Sequence, residues 1–214
     1  MTQYAFEFAG LMAVFAVLMV VPGADFVMVV RQSVVHGRRA AVITSFGIGT
    51  SLLFHVSYTI LGIGLIVSKS LLLFSMLKWA GAAYLLYLGI KALRSGPMEL
   101  SAIDVQQGSG EARAPSAVRC FLMGFVTNAL NPKAVLFFVP LFTAMVSHET
   151  PAAVKGVYGL LMAVTLIAWF VGVSMFFTMA SVRARFVAWG RWFNKATGMV
   201  FIGLGVKLAT VQAG

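Results

Sequence analysis

Two interrupted stretches decide how this chain folds: Val21-Pro22-Gly23-Ala24-Asp25 and Asn128-Ala129-Leu130-Asn131-Pro132-Lys133. Each lies inside a long apolar run, the first from Tyr4 to Val35 and the second from Arg119 to Ser147. About thirty residues at 1.5 Å each make a helix of roughly 45 Å, against a hydrocarbon core of ~30 Å. Runs of this length must tilt, bend or unwind. Proline removes a backbone donor and clashes with the preceding turn, and Gly23 permits backbone angles that other residues avoid. Backbone opened at such depth is tolerated only against protein or a water-filled cavity. Both breaks are therefore expected to meet in the interior.

Four more apolar runs, Ala40 to Val67, Leu71 to Leu93, Pro151 to Ala180 and Arg191 to Thr210, bring the expected spans to six. The runs lack strand alternation and are far longer than the ~10 residues of a barrel strand. The 214 residues are 60% hydrophobic and 10% charged, with a mean hydropathy of +0.94, which excludes a water-soluble globule. The expected fold is an all-α integral membrane protein in a lipid bilayer. Residues 1–21 carry Glu7 where a signal peptide carries a basic residue, and they run straight into Pro22, so they read as a retained first span.

A net charge of +10 in a soluble protein would suggest nucleic acid, but here the positive charges sort by connection. Eleven Lys and Arg surround connections one, three and five, and four surround the others and the C-terminal end. That asymmetry places the odd connections in the cytoplasm and both termini outside. The polar stretch Ser95 to Ala117 divides a single transmembrane domain, 1–214, into repeats 1–94 and 118–214. Ala80, Leu88, Gly89 and Lys91 recur at an offset of 116 as Ala196, Leu204, Gly205 and Lys207, and Pro22 answers Pro132 at 110. Three spans per half force opposite orientations, so the repeats are expected to be inverted, an arrangement used for alternating access.

Lys133 is the deepest charge, with none between Arg119 and Glu149. A charge near the bilayer centre costs at least ~2.5 to 3.5 kcal/mol on insertion scales. If Asn131 caps the second half-helix and Pro132 opens it, Lys133 also sits where the helix dipole repels a cation. An anion is therefore expected nearby, either Asp25 or a substrate carboxylate. Asp25 has a structural reading as well, since an acid after a Pro-Gly break suits a helix N-terminus. Asn128 and Asn131, three apart, are expected on one side of the helix, where they either bind substrate or satisfy the backbone opened by Pro132. His55 lies among Gly47, Gly49, Thr50, Ser51 and Ser57, and reads as an interhelical hydrogen bond or a proton relay. Gly156, Gly159 and Gly172 suggest tight helix packing later in the chain. The tryptophans read as interfacial or packing residues.

The run Pro22-Gly23-Ala24-Asp25-Phe26, then Arg31, Ser33, His36-Gly37-Arg38-Arg39-Ala40, Gly47-Ile48-Gly49 and His55, resembles the first half of a LysE/Rht amino-acid exporter. Lys78 to Gly89, Phe121 to Phe125 and Asn131-Pro132-Lys133-Ala134 continue the resemblance across the chain, which departs from the common Pro-Gly-Pro-Asp form at Ala24. The resemblance implies an inner-membrane exporter of amino acids such as threonine, homoserine, lysine or leucine, or related metabolites, powered by the proton-motive force or a substrate gradient. On this reading Pro22, Gly23, Asp25, Asn128, Asn131, Pro132 and Lys133 form the substrate site, with Asp25 holding an ammonium and Lys133 plus Asn131 a carboxylate. Asp25 and His55 are the proton-coupling candidates.

Two rivals share the architecture. A thiol-carrier oxidoreductase needs paired cysteines and only Cys120 exists; a metal-ion exporter needs clustered ligands and the three His are dispersed. No Ser/His/Asp or paired-carboxylate set marks an enzyme, and no metal or other cofactor is implied. A homo-oligomer is compatible with the sequence.

Overall fold

The computed structural model describes residues 2–20, 23–69, 71–95, 115–147, 149–177 and 179–210. Among them are eight helices and no strand: α1 (Thr2–Val20), α2 (Ala24–Val35), α3 (Arg38–Lys69), α4 (Leu71–Arg94), α5 (Ala117–Ala129), α6 (Pro132–Met145), α7 (Ala152–Phe176) and α8 (Ala180–Thr210). Most of the polar stretch between α4 and α5 lies outside the described residues, as do Val21, Pro22 and His148.

Both long runs are interrupted where the sequence placed the breaks, between α1 and α2 and between α5 and α6. The glycine that needs a left-handed backbone is Gly37, at φ +84° in the turn between α2 and α3. Gly23 is a correction: its φ of −143° and ψ of −164° are extended backbone that any residue adopts. A second correction concerns the stretch between Ala180 and Arg191, expected as the connection between the fifth and sixth spans, which is helical within α8. Continuing the helix satisfies its backbone donors internally, as a loop at the membrane would not.

Long α3 is the hub, packed on α5, α7 and α2, while α4 pairs with α8. Small residues allow these approaches. A methyl group on Gly47 would overlap the backbone of Phe121, and one on Gly124 the backbone of Thr44, so α3 and α5 touch main chain to main chain. Gly89 and Gly198 do the same for α4 and α8. In α7 Gly159 makes room for the Val56 side chain; a Cβ on Gly156 or Gly172 would meet nothing within 4 Å, so these two are not packing glycines.

The core is apolar, built on Leu11, Phe26, Leu52, Leu85, Phe137, Leu141 and Met162, but the outside is apolar too. Leu72, Trp192 and Met199 are 73%, 71% and 63% exposed. Contiguous apolar surface of that kind is expected against lipid tails and not in water. Among the described residues, three stretches are long and apolar enough to cross a bilayer: Thr2–Val20, Arg38–Gly62 and Ala152–Phe176. The half-helices α2, α5 and α6, with 12, 13 and 14 residues, fall short of the ~20 residues a crossing needs.

Candidate functional site

The two breaks meet. Asp25 sits in the first turn of α2, and its Oδ2 accepts one hydrogen bond from Asn128 Nδ2 at 2.9 Å and another from Asn131 Nδ2 at 3.1 Å. Asn128 belongs to α5, but Asn131 lies beyond it, in the break, so the two do not share a helix face. They converge because Leu130 ends α5 and the Asn131 main-chain N–H turns back onto the Asn128 carbonyl at 3.0 Å.

Asn131 also caps α6. Its Oδ1 accepts the Lys133 main-chain N–H at 3.0 Å, and Pro132 opens the helix where its missing donor costs nothing. One side chain thus terminates a helix and orients a carboxylate. The first break has no equivalent, since Gly23 offers no side-chain cap to α2.

Lys133 reaches the other way, with Nζ donating to the Leu18 carbonyl at 3.4 Å. That carbonyl lies in the last turn of α1, the negative end of the helix dipole, so a cation is stabilised there. The penalty at the start of α6 is offset in part by the end of α1. Asp25 and Lys133 line one cavity and act on each other electrostatically.

The cavity, of about 50 Å³, lies between the breaks. At about 10–15 Å³ per water it has room for roughly three to five waters, so an amino acid with a side chain enters only as the cavity widens. Its polar side chains are those of Asp25, Asn128, Asn131 and Lys133; the rest of its wall is apolar, including Phe15, Phe138 and Phe170. Asp25 Oδ1 and Asn128 Oδ1 are buried with no hydrogen-bond partner among the described residues. Buried unpaired acceptors are uncommon in native interiors and each one calls for a physical account.

His55, in α3, is fully buried. Its Nε2 lies 3.1 Å from the Asn128 carbonyl and its Nδ1 2.9 Å from the Tyr58 hydroxyl, and its ring stacks on Phe138. A carbonyl only accepts, so Nε2 carries the proton. The interhelical hydrogen bond is the reading this geometry gives. It pins the carbonyl end of α5 from behind the Asp25 clamp.

A cluster unread in the sequence lies at the opposite end of α1. Glu7 accepts from the Thr150 hydroxyl at 3.0 and 2.8 Å and from the Ser147 main-chain N–H at 3.3 Å, and Tyr158 donates to the Tyr4 carbonyl at 3.0 Å. An acid near the start of an apolar run was the available signal. Cys120 is buried at the start of α5.

Apolar helices with an apolar outer surface, two of them interrupted around a polar centre, define a multi-pass membrane protein. Over residues 16–212 the sequence matches the LysE type translocator family, to which this chain belongs. It is 32% identical over 198 residues to the homoserine/homoserine lactone efflux protein of Salmonella typhimurium, covering 89% of this chain and 90% of that one. It is 30% identical over 188 residues to the threonine efflux protein of Salmonella typhi, covering 87% and 89%. It is 28% identical over 208 residues to the leucine efflux protein of Klebsiella pneumoniae, covering 94% and 92%. No solved structure matches the chain significantly.

Proposed function

We propose that this protein exports small zwitterionic amino acids across the inner membrane by alternating access around the two breaks. The observation that carries the reading is the Asp25 carboxylate, steadied through Oδ2 by two asparagines while Oδ1 stays buried and unpartnered, in a residue that lines one cavity with Lys133. Opposite charges across a small cavity suit a zwitterion: Asp25 takes the ammonium, and Lys133 supplies the charge for the carboxylate. Asn131, occupied at both ends of its amide, acts by holding Asp25 and Lys133 in place. Gly23 contributes its approach to the lysine, with a Cβ position 3.9 Å from Nζ, and Pro132 contributes to the second interruption.

Membership of a family whose relatives are named for threonine, homoserine and leucine efflux supports the transport direction and the cargo type. Six spans in two inverted repeats fit the helix order, with α1 plus α2 and α5 plus α6 as the broken spans. The Glu7 to Thr150 contact puts the N-terminal end of α1 and the α6 to α7 connection at one end of the molecule, in keeping with a shared non-cytoplasmic side. Proton coupling is assigned to Asp25, with His55 bonded to the same Asn128 that clamps it.

Efflux of labelled amino acids from proteoliposomes under an imposed pH gradient tests the reading. Asp25→Asn and Lys133→Ala are each expected to abolish transport. Wild-type rates in both variants would remove the site.

A further inference from the structure

We infer that the cavity selects amino acids whose side chain carries no charge, and that Asn128 joins Asp25 in requiring a primary ammonium; the inference rests on the export reading and narrows it. Asp25 and Lys133 are the charged side chains lining the cavity among the described residues. A zwitterion's ammonium and carboxylate use both. A third charge would enter among Phe15, Leu52, Phe138, Leu166 and Phe170 with no counter-ion, and burying an unpaired charge is strongly unfavourable.

The ammonium end is defined by the atoms left unmatched. Asn128 is committed at two points: Nδ2 donates to Asp25, and its main-chain carbonyl is held by His55. The amide orientation follows from the chemistry, because a carboxylate oxygen that also accepts from Asn131 requires an N–H from Asn128 and not a second oxygen. Asn128 Oδ1 is then an acceptor with nothing to accept, as is Asp25 Oδ1. Two residues that line the cavity thus each hold a buried, unmatched acceptor. A primary ammonium brings three donors, enough for both. A tertiary ammonium brings the same charge and one donor, so it satisfies one oxygen and leaves the other buried and unmatched. As the cavity widens around the substrate, the apolar remainder of the wall receives the side chain.

The test is competition against labelled leucine efflux in proteoliposomes of the wild-type protein, using threonine, lysine, glutamate and N,N-dimethylleucine. Threonine is expected to compete, and lysine, glutamate and N,N-dimethylleucine to compete about tenfold more weakly or worse. In Asn128→Leu, leucine and N,N-dimethylleucine are expected to converge. Lysine or glutamate competing as well as threonine, or N,N-dimethylleucine as well as leucine, would overturn the inference; so would undiminished discrimination in Asn128→Leu. If lysine and leucine move equally and Asp25→Asn stops both, the export reading stands while the selectivity inference falls. If no amino acid moves, the export reading falls first. The wild-type panel decides the charge question even if the Asn128 variant does not fold.

Discussion

The two breaks solve one problem by different chemistry. At the second, Asn131 caps α6 with its own side chain, Pro132 fills the position where a missing N–H is harmless, and His55 binds the carbonyl of Asn128. At the first, α2 starts from Gly23 without a side-chain cap, and its first-turn acid is pulled across to the other break. The second break satisfies its own backbone and has donors to spare; the first supplies a charge that depends on them. A polar group deep in a membrane protein can thus be held by the excess hydrogen-bonding capacity of a distant segment.

Removing the charge should have the largest effect. Asp25→Asn is expected to lower export by roughly 100-fold, the upper end of what losing a charged hydrogen bond costs, as measured by proteoliposome efflux. Next, His55→Leu leaves the Asn128 carbonyl without its side-chain partner and should cost about 1–3 kcal/mol, seen as a lower unfolding temperature in detergent; His55→Gln, which keeps an N–H, should recover most of it. Asn131→Ala should cost about 1 kcal/mol as a lost cap and reduce export by about tenfold, because Asp25 keeps one donor of two. Gly23→Ala should be the mildest, below about 0.5 kcal/mol in the same melt, since its backbone is extended and the new methyl meets Lys133 at ordinary contact distance. A Gly23 variant as damaging as the Asn131 one would erase the contrast between the breaks.

The breaks were legible because proline and a capping asparagine act through local geometry, and an acid or lysine in an apolar run is conspicuous. Their meeting followed from the cost of opened backbone in lipid. The double donation to Asp25 was not legible as drawn, since it depends on Asn131 leaving the helix that Asn128 belongs to. Lys133 has the expected anion, Asp25, on the same cavity, but its hydrogen bond to the Leu18 carbonyl was not legible, because a main-chain carbonyl is a group every residue carries and no sequence marks. Gly156 and Gly172 were misread for a related reason: composition identifies small residues without saying what faces them. The helical character of 181–190 was hidden because the basic residues around it signal orientation and not backbone state.

The main-chain contact between α3 and α5 has a mechanical consequence. Interlocked backbones have no compressible side chain between them to absorb sliding, so displacement of α3 against α5 is resisted at these two points, although the helices come from opposite sides of the polar stretch that divides the chain. α1 is tied elsewhere, near one end by Glu7 to Thr150 and near the other by the Leu18 carbonyl to Lys133, so its side-chain anchors lie on α6 and the connection after it and not on the α3–α5 pair.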